Sequence, residues 1–492
     1  MNGAERLDPT KKHAPSNLGR VLVLGLGKSG RAAAAYLLPL VGDRVESVTV
    51  AAGDRTPEAR ALAEHLESCG ATVSFGHDVI GGPYDICIAS PGIPQFSEFY
   101  RNAQAASAEV VSEVEFAWRE SPADTRWVAV TGTNGKTTTT SIIAHVLTSA
   151  GTDALAVGNI GDTCLEAIAK EPRVFVAETS SYQLASTALF APDVAVVLNI
   201  TPDHLSWHQT FENYRDAKYN VLANLGTQTG AMAVLDATDP NVREKTKELK
   251  ALRSEGGGIP YIPIGAKAGL EASMREACGS ENAAFLDNGI LTIDLNGAVH
   301  RLIDAADLQI KGSHNVSNAL AAASTALALG VCADDISRGL STFAPLEHRI
   351  EPCGSIGGVN LYNDSKATNV DATLHALDAF GSVKPIVLLG GDDKGTDLAE
   401  LVAAADRHCK AVVCFGAAKT RFFEAFDGAE IPVVKASELE SALDTAIGMA
   451  EPGDVIVLSP ACASFDEFTS FEHRGRAFKD LVALRSEPKG AD

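Results

Sequence analysis

Two glycine-rich stretches in this chain have residue types suited to holding phosphate. The first in chemical interest is TGTNGKTTTT, Thr131 to Thr140, which follows the apolar run WVAV and leads into the helix-like TTTTSIIAHVLTSAG. A strand, a glycine turn and Lys-Thr at a helix start form the setting in which backbone N–H groups cradle phosphates. Gly132, Thr133, Asn134 and Gly135 make the turn, and Thr137 and Thr138 open the helix. Lys136 is spaced to reach the β and γ phosphates of a nucleoside triphosphate, and the Thr137 hydroxyl to ligand Mg2+. Val130 stands where G-x-x-x-x-G-K-[ST] has its first Gly, so this is a shortened variant. A plain strand-to-helix turn is the competing reading. The other stretch is GLGKSG, Gly25 to Gly30, after RVLVL. Its G-x-G-x-x-G form is associated with a diphosphate at a helix N-terminus, most often that of a dinucleotide.

Other chemistry-bearing residues sit where apolar runs end. Glu178 closes RVFVAE, where a carboxylate can hold Mg2+ through oxygen or be a solvated rim residue. Asp203 and His204 follow VAVVLNI; the histidine can bind a metal, orient a carboxylate or cap a helix. Lys218 lies inside the helix-like NYRDAKYNVLANL and reads by itself as a surface lysine. Asn315 and Asn318, at i and i+3 of HNVSNALAAASTAL, share a helical face. They can read an adenine or ribose, or act as caps. Arg349 in LEHRIEP and Asp364 in VNLYNDSKATN are candidates for phosphate and ribose. Lys366 and Thr368 follow in the same loop, and Lys394, Ser464 and Phe471 come in GGDDKG and SPACASFDEFTSFEHRG.

These residues need strands to present them. Continuous apolar, β-branched runs alternate with helix-like segments almost throughout: RVLVL, VESVTV, YDICIAS, WVAVTG, VAVVLNI, KPIVLLGG, KAVVCFG and GDVIVLSP. Such runs are typical of parallel strands buried on both faces, with ligands at their carboxyl ends. The expectation is an α/β protein of three domains: 18–122, Rossmann-like; 123–346, a P-loop-type ATPase domain; and 347–492, Rossmann-like. The polar RESPADTRW, Arg119 to Trp127, is the expected hinge before the second domain. Leu252 to Gly269 is expected to be a surface loop, and the first 17 or so residues a disordered extension.

Composition limits the partners. The chain has 492 residues, 41 basic and 63 acidic, for a net charge of −22. Nucleic-acid binding requires a basic footprint, and none is present globally. A small anionic substrate needs only a few local cations or helix N-termini. Nine scattered cysteines without a C-x-x-C pair suggest reduced thiols in a cytosolic protein, not a disulfide frame or zinc site. The longest small-apolar stretch, Ala319 to Ala333, is too short to span a bilayer and reads as a buried helix.

TGTNGKTTT, GNIG, ETSSYQL, NITPDHL, YRDAK, HNVSNALAA, HRIE and NDSKATN occur in the order in which they occur in Mur ligases, which the chain resembles from about Val21 to Phe478. NDSKATN, GGDDKG and LSPACASFDEFTSFEHRG are similar to the D-glutamate-adding branch of that family. The resemblance implies a cytoplasmic, monomeric, ATP-dependent amide ligase of peptidoglycan precursor synthesis. ATP would phosphorylate the carboxylate of UDP-N-acetylmuramoyl-L-alanine, and D-glutamate would displace the phosphate. It further implies ATP contacts at Gly132 to Thr138, Asn315, Asn318, Arg349 and Asp364. Mg2+ ligands would be Thr137, Glu178, His204 and Lys218, the last as a CO2-derived carbamate. Lys136, His204, Lys218 and Lys366 would be catalytic. The UDP-sugar would meet Gly27, Lys28, Ser29, Gly92, Asn159, Gln183 and His204, and D-glutamate would meet Thr368, Lys394, Ser464 and Phe471. The acidic residue the family places after the second strand has only Asp54 to represent it, a residue or two late. A sister ligase or a folylpolyglutamate-synthetase-like enzyme shares the ATP machinery and is the main alternative. An oxidoreductase using GLGKSG for a dinucleotide, or a non-enzymatic ATP-gated scaffold, stands further off.

Overall fold

The structure is a computed structural model that describes residues 7–254, 258–265, 276–310, 312–393 and 395–486. It divides into two compact units, Met1–Asp307 with Ser317–Ser341, and Leu308–Val316 with Thr342–Asp492. The first unit holds two sheets and the second holds one.

The first sheet is wholly parallel. Its spatial order is Thr72–Ser74, Val45–Ala51, Gly19–Leu24, Tyr84–Ala89, Ser107–Ser112. The chain reverses direction of winding between Gly19–Leu24 and Tyr84–Ala89, and a crevice opens at such a switch point. GLGKSG and SPGI are the loops at those two strand ends. Thr56, Ser97 and Ser112 start the helices of this layer by accepting the N–H groups of Ala59, Tyr100 and Glu115.

The second sheet has nine strands. From one edge they run Ala298–Asp304, Ile290–Leu295, Ala283–Asp287, Tyr261–Gly265, Met232–Asp236, Val194–Val197, Arg126–Thr131, Val174–Glu178, Ala154–Gly158. Every residue of Val194–Val197 and Val174–Glu178 is buried, as strands covered on both faces require. The first three form an antiparallel meander that the expectation of parallel strands left out. Its turns are Asn288-Gly289 (φ 51° and 85°) and Asn296-Gly297 (φ 53° and 81°). Paired positive φ angles are those of type I′ hairpins, for which Asn-Gly is the preferred sequence.

Leu252 to Gly269 is not simply a surface loop. Helix Pro240–Ser254 runs into it, and Tyr261–Gly265 is a buried parallel strand; 266–269 lie outside the described residues. Pro260 and Pro263 hid this strand, because proline lacks the N–H a central strand normally donates. The second unit's sheet runs Glu351–Ile356, Val359–Asn363, Val455–Leu458, Ile386–Gly390, Ala411–Phe415, Val433–Lys435, with only the first pair antiparallel.

The first two sheets share one apolar core. Trp127 stacks on Phe175 (4.5 Å between centroids), and Phe190 stands edge-on to Trp127 and Trp118. The domain boundary expected at 122–123 therefore falls inside a single compact unit. Arg119 and Glu120 of the expected hinge are buried at the end of helix Glu113–Glu120.

The N-terminal residues 7–17 are packed, not a free extension. The Lys12 N–H donates to the Ser121 carbonyl (2.9 Å), His13 to Arg119 (3.1 Å), and the Thr10 carbonyl accepts from Ala123 (3.0 Å). Lys12 Nζ donates to the Thr125 carbonyl at 2.7 Å, and Ala14 is fully buried. This strap crosses the Ser121–Thr125 connection between the two sheets. Removing residues 1–16 should lower unfolding stability of the first unit by about 2 kcal/mol, the sum of a few net hydrogen bonds. A urea titration of full-length and shortened chains checks this; an unchanged midpoint would show the strap to be ornamental.

Of the small-apolar segment Ala319 to Ala333, the part up to Ala328 is a buried helix, Ser313–Ala328, as read from sequence; a turn follows, and Ala333 starts the next helix. Among the described residues no helix is long and apolar enough to cross a membrane.

Candidate active site

The phosphate-loop sequence turns the chain from strand Arg126–Thr131 into helix Lys136–Ser149. Gly135 has φ 83°, and a Cβ there would lie 2.5 Å from Asn318 Oδ1, so the position requires glycine twice over. Asn318 Oδ1 also accepts from the Thr139 hydroxyl at 3.1 Å, fixing this amide against the loop. No side chain caps helix Lys136–Ser149, an arrangement that suits an anionic ligand at its start. Lys136 Nζ folds back to the carbonyls of Gly132 (2.9 Å) and Thr133 (2.8 Å).

Two residues outside the motif hold the loop in shape. Asn199 Oδ1 accepts the Asn134 N–H at 2.7 Å, and its Nδ2 donates to the Asn134 carbonyl at 3.1 Å. Thr133 Oγ1 shares a hydrogen bond with the Tyr214 hydroxyl at 2.8 Å. Sequence reasoning passed over both. Asn199 left a signal, an amide directly after VAVVL; Tyr214 left none.

Lys218 is the largest departure from the residue-level reading. It is not on the surface: helix Phe211–Tyr219 buries it to 2% exposure. Its Nζ donates to the Gly132 carbonyl at 2.7 Å and lies 4.7 Å from the Tyr214 ring centroid. That carbonyl is one of the two that Lys136 uses. Burial, reinforced by the neighbouring Lys136 ammonium, holds the Lys218 amine well below its ordinary value; Asp203 and Glu178 oppose this. The shift is toward the neutral amine, which is the nucleophilic form.

Glu178, at the end of Val174–Glu178, is 1% exposed. Its Oε1 accepts from Asn159 Nδ2 at 2.9 Å, while Oε2 is buried without a protein partner. A buried carboxylate oxygen with nothing to bind is unfavourable unless a cation or donor arrives. This fits a hard divalent cation held through oxygen. His204 (φ 54°) starts the short helix Leu205–His208 without a side-chain capping bond, which removes the cap reading. Its ring is exposed, 3.5 Å from Asp203 Oδ2 and beside Tyr182. Thr137 lies in the first turn of its helix.

A cavity of about 660 Å³ lies over the glycine loop of the first sheet. Gly27, Lys28, Ser29, Gly92, Asn159 and Gln183, all assigned from sequence to the sugar nucleotide, line it. Lys28 Nζ donates to the Gly161 carbonyl. Gln183 Oε1 accepts from both the N–H and the hydroxyl of Ser180, so its Nε2 is the group left to offer a ligand. Two assignments are not among the lining residues. His204 sits by the Lys218 cluster instead. Asp54 is exposed beyond strand Val45–Ala51, while Gly53 and His77 face the cavity.

In the second unit, the NDSKATN loop and the loop after Val455–Leu458 are joined by a residue that sequence reasoning did not single out. Arg474 is fully buried and donates to Ser365 Oγ (2.9 Å) and to the carbonyls of Ser365, Cys462 and Ala463. Its complete burial could not be read from FEHRG. Lys366 Nζ lies 3.8 Å from the Phe471 ring centroid, and the Thr368 N–H donates to the Lys366 carbonyl. Ser464 is buried one residue beyond Ala463. Asp364 accepts from Ser459 Oγ (2.7 Å) and the Ile350 N–H (3.2 Å). Burial pushes its carboxyl up to about 7, against the pull of Ser459 and Arg349. Asn315 lies in the first turn of Ser313–Ala328, and Lys394 lies outside the described residues.

Residues 130–326 match the Mur ligase middle domain, and residues 348–462 match the Mur ligase glutamate ligase domain. The UDP-N-acetylmuramoylalanine–D-glutamate ligase of Thermoanaerobacter pseudethanolicus is 38% identical over 476 residues, 94% of this chain and 98% of its own length. That of Alkaliphilus metalliredigens is 40% identical over 482 residues, with the same coverage of 94% and 98%. The solved UDP-N-acetylmuramate-alanine ligase of Thermotoga maritima is similar in fold, with a TM-score of 0.53 at 17% identity over 94% of this chain and 99% of that one.

Proposed function

The chain belongs to the Mur ligase family, and on that premise we propose that it joins D-glutamate to UDP-N-acetylmuramoyl-L-alanine at the expense of ATP. The observation that carries the chemistry is the cluster around Gly132: a phosphate loop, a buried carboxylate with an unpartnered oxygen, and a buried lysine whose amine is shifted toward its neutral form. The choice of D-glutamate rests on the third-domain motifs and on the names of the relatives.

In the reaction, a carboxylate oxygen of the alanyl group attacks the γ-phosphorus of ATP, and ADP leaves. The D-glutamate amine then attacks the acyl carbon, the amine loses its proton, and phosphate departs. The first step brings anions together, so charge neutralisation and positioning dominate. Lys136 is placed to exchange its loop carbonyls for phosphate oxygens. The neutral Lys218 amine can add to CO2 and release one proton, which turns an uncharged side chain into an anionic carbamate with two hard oxygens. Glu178 Oε2, a Lys218 carbamate, His204 and the Thr137 hydroxyl would then hold Mg2+. Bound Mg2+ neutralises the phosphates and the phosphoryl group in transfer.

The cavity beside GLGKSG takes the UDP-sugar, with Lys28, Ser29 and the start of helix Lys28–Leu37 for its diphosphate. Asn318 serves the nucleotide of ATP, as do Asn315, Arg349 and Asp364. In the second unit, Lys366 supplies charge to the transferred phosphoryl group, and Thr368, Lys394, Ser464 and Phe471 meet D-glutamate. The proposed domains 18–122, 123–346 and 347–492 take one sheet each, the first two sheets lying within one compact unit. Mixing the protein with ATP, UDP-N-acetylmuramoyl-L-alanine and single amino acids should release phosphate with D-glutamate. Release with L-lysine or diaminopimelate, and none with D-glutamate, would assign the chain to a sister activity.

A further inference from the structure

Glu113 opens helix Glu113–Glu120, but its side chain does not serve that helix, whose start Ser112 already caps. It is 1% exposed and reaches a segment 52 positions further on, where its Oε1 accepts the Leu165 N–H at 2.7 Å. Leu165 is the second residue of the short helix Cys164–Ile168. Thr163 caps that helix by accepting the Glu166 N–H (3.2 Å), and the Glu166 carboxylate accepts the Thr163 N–H in return (2.9 Å). Glu113 supplies the acceptor that this reciprocal cap leaves out. Its other oxygen, Oε2, is buried without a protein partner. Burying a carboxyl in this way is costly to the fold, so stability alone does not explain it. Burial pushes the carboxyl up to about 7, with Glu166 adding to the rise and the Leu165 N–H, Lys28 and the Cys164 N–H opposing it. The charged and the neutral forms both offer an oxygen to Leu165, so the contact needs an acceptor and not a charge.

The loop that this contact anchors forms one wall of the cavity over GLGKSG, since Gly158, Asn159 and Thr163 line that cavity. Its first end is tied to the end of strand Val174–Glu178. The Asn159 N–H donates to the Glu178 carbonyl and Asn159 Nδ2 to Glu178 Oε1, both at 2.9 Å. A Cβ on Gly158 would lie 2.6 Å from the Glu178 carbonyl oxygen, so the loop has no slack there. In its middle, the Gly158 N–H donates to the Asp162 carbonyl (2.9 Å), and Lys28 Nζ donates to the Gly161 carbonyl. At the Thr163 end the fastening comes from the interior, through Glu113. Resting on the reading of this cavity as the UDP-sugar site, we propose that Glu113 is a positioning residue for that substrate. It is not among the lining residues, and it acts by holding the Gly158–Thr163 wall in its binding shape.

The test compares E113Q, which keeps an acceptor of the same reach, with E113M, which fills the space without one. Calorimetry gives the Kd of UDP-N-acetylmuramoyl-L-alanine and the Kd of ATP separately. E113M should bind the sugar nucleotide about ten-fold more weakly, the worth of one neutral hydrogen bond, and ATP as the unmodified protein does. E113Q should restore the affinity for the sugar nucleotide. E113A supplies the same readout if E113M does not fold. Apolar variants that bind the sugar nucleotide as tightly as the unmodified protein overturn the role of Glu113, as does an E113Q protein as weak as E113M. Equal weakening toward ATP would be general loosening of the fold and overturns it too. Failure of the unmodified protein to bind the sugar nucleotide overturns the reading of the cavity, and the role of Glu113 with it.

Discussion

Lys218→Met should abolish ligation and leave the protein as stable as before or more so. The rate should fall by about 10³-fold or more, the scale on which loss of a preorganised charge-stabilising group is felt. Stability should move the other way because the amine is an expense to the fold. It is buried, shares the Gly132 carbonyl with a second cation and is pushed well below its ordinary 10.5. In CO2-free buffer the unfolded chain binds a proton at this site that the folded chain does not, from the depressed folded value up to the ordinary one. Stability tied to this group therefore rises with pH across that window and falls as pH drops through it. The methionine variant escapes the cost, so its gain in melting temperature should be larger at pH 7 than at pH 9. Bicarbonate should raise the activity of the unmodified protein after CO2 stripping and leave the variant inactive. A variant that retains activity would remove the carbamate from the mechanism. UDP binding should persist, which separates loss of chemistry from loss of fold.

Lys136→Ala should lower kcat by about 10³-fold, with the KM for the UDP-sugar nearly unchanged, because the role proposed for the lysine is on the phosphates of ATP. A second effect is specific to this geometry. The Lys136 ammonium is one of the two influences that depress the Lys218 amine. Removing it should let the Lys218 pKa climb, so less of the amine is neutral and more bicarbonate is needed to load the site. Mass spectrometry or 13C NMR of protein equilibrated with labelled bicarbonate reads that loading directly. Equal loading at equal bicarbonate in both proteins would show that the two lysines are electrostatically independent.

The phosphate loop was legible because its chemistry is local: glycine, lysine and threonine at fixed spacing between a strand and a helix. The longer buried strands were legible as continuous apolar runs; short or mixed ones such as Thr72–Ser74, Ala154–Gly158 and Val433–Lys435 were not, nor was Tyr261–Gly265, where Pro260 and Pro263 intervene. The meander was also written in the sequence, since DNG and LNG separate alternating segments, yet the parallel pattern elsewhere drew attention from it. Lys218 was not legible from its own helix. A lysine followed by polar residues reads as exposed, and its burial comes from elements distant in the chain that close over it. Only the family resemblance pointed to a metal-site role. Arg474 and Tyr214 were unreadable for the same reason, as their partners lie 109 and 81 positions away.

The strap of residues 7–17 also bears on the order in which the chain can assemble. It is made well before its partners, which are Arg119, Ser121, Ala123 and Thr125, with Asp193 3.9 Å from Lys12. It must therefore wait while more than a hundred residues are made, and it closes a long loop late. During that interval the first sheet can form from its own strands, and the connection at Ser121–Thr125 stays open until the second sheet begins. The strap thus docks only after the strands of the first sheet have been made, which makes it a molecular latch on that sheet and not a nucleus for its folding.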